Sequence, residues 1–410
     1  MRSSTKITNG GSGPKVAARS DRATNTALKT LSISIASFVL FFGLAEGLAR
    51  LSYAPDQVQR DNLFEYDQEK IYRLKSNYSR RFAGKPVYTN SYGYRDAEIP
   101  VEKPPHSRRL AVIGDSVSFG HGVSGPRTYS EQLENRLNQT SEPDFHFDVI
   151  NTAAPGNSAI QEYYDLARVV KFKPDLAIIQ FTLNDVVEPY VVMRRFGGVG
   201  WDYHNVEDVS YFHHLLKQNS AFYLFLSDMH ARLMLGEPSI VKFEKRAKRI
   251  ELYDVKKLIY KSDEPRISDA WHEYLSWLDK MVDLAKANNI RVVYLVSPYS
   301  FQFRLSPESD LPQIKLRQFA ETHDMVYVDL LAILRAEFLA EYASGHPQTS
   351  HSPVKWRDVL QQDPDAAEAF WYRYFIDADH YSADGHAHVA EILYPRVRQL
   401  LSMKDKEKHG

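Results

Sequence analysis

A serine and an aspartate–histidine pair, far apart in the chain, are the residues of this sequence best suited to nucleophilic chemistry. Ser116 follows Asp115 directly after the apolar run Leu110–Gly114, and Asp377 and His380 are three residues apart near the C-terminal end. A carboxylate that accepts from one ring nitrogen of a histidine leaves the other nitrogen to take a proton from a serine hydroxyl. The three side chains therefore predict a serine nucleophile, a histidine base and an aspartate that fixes the imidazole tautomer.

Each of these short motifs, taken alone, has a simpler structural explanation. Gly-Asp-Ser is common in ordinary turns, and Asp-x-x-His is common in surface loops. Asp379, His386 and His388 are nearby competitors for the same roles. The two later histidines fall at or beyond the predicted start of a helix, and two residues apart they point about 200° away from each other. Neither has an acidic residue placed as Asp377 is for His380.

Two further residues are suited to stabilising negative charge on a reacting carbonyl oxygen. Gly156 lies in the loop NTAAPGNS after the second predicted strand, where its backbone N–H can face the same crevice as Ser116; the alternative is a Pro-Gly turn. Asn184 ends the third predicted strand in QFTLND, where its amide can enter the crevice; the alternative is a helix cap. The N–H groups of Ser116 and Gly156 and the Asn184 amide form the predicted oxyanion hole.

Apolar runs alternate with amphipathic segments from residue 110 onwards, and this alternation positions the candidate residues. The predicted strands are 110–114, 147–151, 175–181, 290–297 and 325–330, and the predicted helices are 128–139, 158–170, 270–288, 311–323 and 384–401. Strands that alternate with helices predict an α/β fold with a doubly wound, mostly parallel five-stranded sheet. Because such sheets bind ligands at the carboxyl edge of their strands, we expect the candidate residues to gather there.

Composition excludes several classes of function. Lys and Arg (51) nearly balance Asp and Glu (52), so the excess of basic charge typical of nucleic-acid binding is absent. The chain has no cysteine, which removes disulfides, thiolate nucleophiles and cysteine-based zinc sites. Four histidines near the C-terminal end are possible metal ligands: His351, His380, His386 and His388. They show no HExxH or comparable spacing, and we expect neither a metal nor an organic cofactor.

The N-terminal region indicates a membrane segment. Residues 1–29 are polar and basic and are predicted to be a disordered leader. The following uncharged run Leu31–Ala45 predicts an anchor over 30–50, and a cleaved signal peptide is the alternative. The basic leader predicts that the rest of the chain lies outside the cytoplasm.

The remaining boundaries follow from composition. Residues 51–107 are predicted to be an N-terminal extension that ends in a proline-bearing linker, EIPVEKPPHS. Residues 108–402 form the predicted main domain. An aromatic-rich insertion at about 190–269 interrupts it, as either a substrate lid or scaffold.

The four candidate blocks, in their order along the chain, resemble those of the GDSL/SGNH hydrolase superfamily. The first block reads GDS with Ser116, the second carries Gly156, the third reads TLND with Asn184, and the fourth reads DADH with Asp377 and His380. The third block departs from the common Gly-x-Asn-Asp, since Thr182 stands at the glycine position. The upstream segment N-x-x-G-x-R-D, residues 90–96, is similar to a membrane-tethered bacterial subgroup.

This resemblance implies a flavodoxin-like sheet and a serine esterase that acts on an acylated small molecule, lipid or glycan at the outer side of the membrane. Acyl-enzyme chemistry proceeds equally well when a sugar hydroxyl replaces water, so an O-acyltransferase that uses the same triad is an alternative. A non-catalytic glycan-binding module is a further alternative. The presence of all five site residues speaks against it, because binding alone needs no triad.

Overall fold

The computed structural model describes residues 15–52, 63–67, 69–140, 145–187, 264–305, 310–345 and 355–409, together with 255–260 and individual residues between 220 and 233. The strands are β1 Phe64–Asp67, β2 Ile71–Leu74, β3 Ser79–Phe82, β4 Lys85–Tyr88, β5 Ser107–Ile113, β6 His146–Asn151, β7 Leu176–Phe181, β8 Arg291–Val296 and β9 Val326–Asp329. The principal helices are α1 Lys15–Ser52, α2 Ser116–Phe119, α3 Tyr129–Thr140, α4 Ala159–Val169, α5 Asn184–Val187, α6 Pro265–Ala287, α7 Ser300–Phe303, α8 Leu311–Thr322, α9 Leu330–Gly345, α10 Trp356–Gln362, α11 Pro364–Tyr374 and α12 Ala383–His409.

Five parallel strands form one sheet in the order β6–β5–β7–β8–β9. Each observed strand overlaps one of the five apolar runs, and helices separate the strands along the chain. The prediction of a doubly wound, five-stranded parallel sheet is therefore confirmed. The chain reverses its direction of travel across the sheet at β5, between β6 and β7, which is the crevice position where such sheets bind ligands.

The interior strand β5 faces apolar cores on both sides of the sheet. Ala111 and Ile113 belong to the core that α4, α6 and α8 cover. Leu110 and Val112 belong to the core that α3, α9 and α12 cover. Because successive side chains of a strand point to opposite faces, a strand covered on both sides reads as a continuous apolar run. This burial is why the sequence identified the strand so clearly.

The N-terminal extension is folded against the main domain. Two antiparallel hairpins, β1–β2 and β3–β4, precede the sheet. Phe64, Tyr72 and Val87 of these hairpins share one buried cluster with Phe119 and Ala154, which lie beside Ser116 and Gly156. The described part of the extension, from residue 63 to β5, is therefore a layer of the fold that contacts both loops of the candidate site.

The N-terminal helix α1 is longer than the sequence suggested. Its stretch Leu28–Leu51 has a mean hydropathy of 1.9, exposes most of its side chains, and is long and apolar enough to cross a membrane. The helix begins at Lys15, within the segment 1–29 that the sequence predicted as a disordered leader. Alanines are frequent in this segment, and extending an existing helix costs less than nucleating a new one.

Most of the insertion at 190–269 lies outside the described residues, and so does His351. Within the insertion, residues 255–260 are helical, and α6 begins at Pro265.

Candidate active site

Ser116 lies at the junction of strand β5 and a one-turn helix. The side chain of Asp115 accepts a hydrogen bond from the backbone N–H of Val117 at 2.9 Å, and so caps α2 at its first residue, Ser116. The turn is tight: a Cβ on Gly114 would lie 2.7 Å from Oε1 of Gln180. Only glycine fits at that position without moving a buried neighbour, which explains the Gly-Asp-Ser order.

The structure brings together the three residues predicted to form a triad. Nε2 of His380 lies 2.9 Å from Oγ of Ser116, although the two residues are 264 positions apart. Nδ1 of the same ring lies 2.9 Å from Oδ2 and 3.0 Å from Oδ1 of Asp377. Asp377 thus favours the tautomer with a proton on Nδ1, which leaves Nε2 facing the serine hydroxyl.

A short, internally bonded loop holds the pair in place. Oδ1 of Asp377 accepts hydrogen bonds from the backbone N–H groups of His380 at 2.9 Å and Asp379 at 3.2 Å. The indole of Trp371 donates to the Asp377 carbonyl at 2.9 Å. The N–H of Ser300, the first residue of α7, donates to the Ala378 carbonyl at 2.7 Å. The aspartate therefore fixes the loop backbone as well as the imidazole.

The charges around His380 favour its protonated form. Burial alone would lower the pKa of His380, but the charge of Asp379 and the hydrogen bond and charge of Asp377 outweigh it and raise the pKa to about 9. Burial would raise the pKa of Asp377, but hydrogen bonds from His380 hold it well below its usual range. At neutral pH the imidazole is therefore mostly protonated, and it becomes a proton acceptor as the pH rises through that value.

Asp377, Asp379 and His380 offer ligand atoms within 4.8 Å of one another, a spacing that suits a metal ion. Both ring nitrogens of His380 already have partners, however: Asp377 on one side and Ser116 on the other. The two carboxylates of Asp377 and Asp379 thus stabilise the positive charge of the His380 imidazolium.

Asn184 lies at the start of α5, beside the Ser116 turn. Its Nδ2 donates to Oδ2 of Asp115 at 3.1 Å, and its buried Oδ1 has no hydrogen-bond partner. Thr182 donates from its hydroxyl to the same Asp115 oxygen at 3.1 Å. The threonine that departs from the common family pattern therefore supports Asp115, and the second N–H of the Asn184 amide remains available for a ligand.

Gly156 lies in the loop between β6 and α4 with φ of +78°, a left-handed conformation that favours glycine. A buried ion pair lies beneath this loop. Lys70, between β1 and β2, is paired with Asp165 of α4. Asp165 also accepts from Nδ2 of Asn157 at 2.9 Å, and the Tyr72 hydroxyl donates to the Pro155 carbonyl at 3.2 Å. The β1–β2 hairpin thus contacts Pro155 directly and is linked to Asn157 through Asp165.

Arg95, in the segment that resembles the membrane-tethered subgroup, holds the other side of the site. Its Nη1 donates to the carbonyls of Phe119 at 2.5 Å and Gly120 at 2.8 Å. Its Nη2 donates to the Val123 carbonyl at 2.7 Å. Burial lowers the pKa of the guanidinium to about 10, so it stays charged at neutral pH. Arg95 therefore fixes the chain that leaves the Ser116 helix, a role the sequence did not reveal.

His121 is a further neighbour of the site that sequence analysis did not identify. Its ring stacks on the His380 ring, with centroids 4.5 Å apart and planes 29° apart. Phe82 of β3 packs edge-on against His121 at 5.7 Å. The second hairpin, β3–β4, therefore supports the His380 imidazole through His121. In the sequence, His121 is marked only by the GHG run after α2.

The competing histidines take structural places. His386 is fully buried, and its Nδ1 accepts from the backbone N–H of Tyr129 at 3.1 Å. His388 lies 2.7 Å from the Glu337 carboxylate of α9. These contacts help to pack α12 against α3 and α9.

The sequence matches the family model of the GDSL-like lipase/acylhydrolase family over residues 112–388. The chain belongs to this family. The matched range begins within β5, ends within α12 and includes all five predicted site residues, Ser116, Gly156, Asn184, Asp377 and His380. The GDSL resemblance inferred from the four blocks is thus confirmed. No curated protein sequence matches the chain.

Several crystal structures of esterases and lipolytic proteins are similar to this GDSL family member. TesA is 12% identical and covers 72% of this chain and 99% of its own length, with a TM-score of 0.35. A catalytic mutant of Axe2, an acetylxylan esterase from Geobacillus stearothermophilus, is 16% identical and covers 70% and 92%, with a TM-score of 0.33. EstA, a psychrotrophic esterase from Pseudoalteromonas sp., is 12% identical and covers 72% and 99%, with a TM-score of 0.33. At such low identities and TM-scores these similarities carry no argument about the activity of this chain.

Proposed function

We propose that this GDSL family member is a membrane-anchored serine esterase that cleaves acyl esters outside the cytoplasm. The observation that carries the proposal is the continuous contact from Asp377 through His380 to Ser116, with 2.9 Å at each step. A binding module would gain nothing from a carboxylate that orients an imidazole toward a serine hydroxyl.

In the proposed reaction, Nε2 of His380 takes the hydroxyl proton while Oγ of Ser116 attacks the ester carbonyl. The N–H groups of Ser116 and Gly156 and the amide of Asn184 receive the developing oxyanion, each worth about 3 kcal/mol in a well-formed site. The imidazolium then protonates the departing alcohol, and an acyl-serine remains. Water, deprotonated by the same Nε2, attacks the acyl group, releases the carboxylic acid and restores the serine.

The proposed substrate is an acylated glycan or lipid, and the proposed location is the outer face of the membrane. Helix α1 is long and apolar enough to span, and the residues before Leu28 include Arg2, Lys6, Lys15, Arg19 and Arg22. Because basic flanks stay in the cytoplasm, the sheet and its site would lie on the opposite side.

A fluorophosphonate probe tests the nucleophile. The wild-type protein should become labelled at Ser116, and Ser116→Ala should lose both labelling and hydrolysis of short acyl esters. The matched control is Ser118→Ala, a buried serine two residues away whose hydroxyl bonds Gln180 and Tyr129; it should remain labelled. Labelling of Ser116→Ala at the wild-type rate would refute the assignment.

Product analysis on acetylated glycans then shows whether the acyl group is transferred to water or to a glycan hydroxyl. An esterase releases free acetate in water alone. If the acetyl group is recovered only as a new ester on an added glycan, the enzyme is an acyltransferase and the proposal of hydrolysis is wrong.

A further inference from the structure

A carboxylate within the apolar helix α1 binds the start of a second helical segment. Oε2 of Glu46 accepts from the Ser220 hydroxyl at 2.8 Å and the N–H of Phe222 at 3.0 Å. Its Oε1 accepts from the N–H of Ala221 at 3.0 Å and from Nε of Arg50 at 2.7 Å. The charge faces the first N–H groups of a helix, where a negative charge is stabilising. All four contacts are charge-assisted, so the carboxylate is tolerated in an otherwise apolar helix.

Aromatic packing continues this contact along α1. The Phe222 ring lies 6.5 Å from Phe41 and 6.0 Å from Phe42, edge-on to both. Ala221 is completely buried. Phe41 and Phe42 precede Glu46 by about one helical turn, on the side of the middle of the apolar stretch. The second segment therefore begins at the carboxylate and packs toward the apolar centre of α1.

The described residues of this segment leave an apolar stripe uncovered. Residues 221–223, 225–226, 229 and 233 are helical. The exposed fractions are 40% for Phe225, 38% for Leu226, 41% for Met229 and 78% for Leu233. The spacing of three, four and seven residues places these side chains on one helix face. Such a stripe on a soluble surface would be a costly patch in water.

We propose that the described residues between Ser220 and Leu233 form a second membrane-seated element, held to the anchor by Glu46, with the apolar stripe in contact with lipid hydrocarbon. The occupant follows from continuity, because Phe222, which precedes the stripe, packs on Phe41 and Phe42, and the large apolar side chains of Leu28–Leu51 are 41% to 84% exposed. Glu46 is five residues before the end of that stretch, about 8 Å along the helix axis. The segment therefore starts near one membrane interface, where its polar first turn meets the carboxylate and its apolar face enters the bilayer.

This inference rests on the proposed membrane location and extends it in two ways. Glu46 binds residues 174 to 176 positions later in the chain. A helix engaged in this way by the folded protein is a permanent anchor, so a cleaved signal peptide is the weaker of the two explanations. The insertion, predicted as a lid or scaffold, thereby gains a membrane-contacting part.

Single-cysteine fluorescence quenching tests the inference directly, because the chain has no native cysteine. The full-length protein is placed in vesicles of neutral phosphatidylcholine that carry a nitroxide on the acyl chain. An environment-sensitive fluorophore is attached at Phe225→Cys, Met229→Cys or Leu233→Cys. Leu40→Cys in α1 is the control for a position within the membrane. Arg136→Cys, on the exposed face of α3, is the control for a position in water.

We expect quenching at the three test positions to approach that at Leu40→Cys and to exceed that at Arg136→Cys by about threefold or more. Quenching at Leu40→Cys but not at the test positions would overturn the inference and leave the anchor intact. Absence of quenching at Leu40→Cys as well would overturn both. Test positions shielded from lipid and from an aqueous quencher alike would indicate a protein partner on this face, and would also overturn the inference.

A second variant tests the role of Glu46. Glu46→Gln keeps the shape of the side chain but replaces one acceptor oxygen with a donor that faces N–H groups. Quenching at Met229→Cys should fall by about half or more, while quenching at Leu40→Cys should not change. Unchanged quenching at Met229→Cys would show that Glu46 does not seat the segment. Hydrolysis by the Glu46→Gln variant in detergent should match wild type, which separates this result from failure of the esterase proposal.

Discussion

Oδ1 of Asp379 lies 3.5 Å from Nδ1 of His380, the same ring nitrogen that Asp377 contacts at 2.9 Å. Two carboxylates therefore face one side of the imidazole, and Ser116 faces the other. The Asp379 side chain is only 8% exposed, so water screens its charge poorly. Asp377 is placed to orient the ring, whereas Asp379 acts on it mainly through charge.

The pH dependence of hydrolysis should reflect this arrangement. Only the neutral imidazole can accept the serine proton, and the pKa of His380 is raised to about 9. We therefore expect kcat/KM to rise about tenfold per pH unit across neutral pH and to level off near that value. A profile of kcat/KM from pH 6 to 10 checks this. A plateau already reached at pH 7 would contradict the assigned electrostatics.

Asp379→Asn should move this profile to lower pH. Removing one of the two negative charges makes the imidazolium less stable, so the midpoint of the kcat/KM profile should move down by about one pH unit. The activity above the midpoint should stay close to wild type, because Asp377 still fixes the tautomer. Asp377→Asn is the comparison: it should lower the plateau itself by several hundredfold or more. Equal plateau losses in the two variants would mean that both aspartates orient the ring.

Local sequence signals predicted most of the sheet and the three proposed catalytic side chains. Buried parallel strands are continuous apolar runs, and β5 and β7 were visible for that reason. Ser116 follows such a strand directly, and Asp377 and His380 lie within one short loop whose backbone hydrogen bonds are themselves local. Where function depends on neighbours in sequence, periodicity and spacing carry the information.

The supports of the site could not be predicted in the same way. Lys70 meets Asp165 from 95 residues away, and Arg95 meets the Phe119 carbonyl from 24 residues away. Ion pairs and carbonyl contacts of this kind leave no periodic trace in the sequence. The hairpin strands are only four residues long, too short for alternation to be recognised. The sequence therefore predicted only an extension with a linker at its end, although the extension contacts both loops of the site.

Asn184→Ala tests whether the amide meets charge in the transition state. We expect a loss of about 10²–10³-fold in kcat with little change in KM, because the oxyanion forms only during reaction. Thr182→Val is the matched control, since it removes the other hydrogen bond to Oδ2 of Asp115 and keeps the side-chain volume. If both variants lose activity equally, Asn184 acts by supporting Asp115 and not on the substrate.

Arg95→Lys tests the support from the N-terminal extension. Lysine keeps the charge but cannot reproduce the two-nitrogen contact with three carbonyls. We expect kcat to fall about tenfold or more while the far-ultraviolet circular dichroism stays native, because the chain after Ser116 loses its fixed position. The control is Arg80→Lys on the exposed face of β3, which should retain wild-type kcat. An Arg95→Lys variant with normal kcat would limit Arg95 to a role in stability.

The buried His386 should make the fold sensitive to acid. Burial lowers its pKa to about 3, whereas an unfolded histidine titrates near 6.5. Between pH 6.5 and pH 3 His386 is protonated in the unfolded state but not in the folded state. The free energy of unfolding therefore decreases by about 1.4 kcal/mol for each unit that the pH is lowered in this range. From this group alone, the free energy of unfolding should be lower by about 2 kcal/mol at pH 5 than at pH 7.

Urea unfolding of His386→Asn at the two pH values measures this contribution. Asparagine places an acceptor near the position of Nδ1 for the Tyr129 N–H and cannot be protonated, so the loss of stability between pH 7 and pH 5 should shrink by about 2 kcal/mol. His106→Asn is the control, because His106 is exposed and has φ of +56°, which asparagine tolerates. This control should lose as much stability between pH 7 and pH 5 as the wild type does.

Hydrolysis by His386→Asn should stay within about tenfold of wild type at pH 9, since His386 packs α12 and the proposed base is His380. If His386→Asn keeps its stability at both pH values but loses activity as severely as His380→Ala, then His386 and not His380 is the catalytic base.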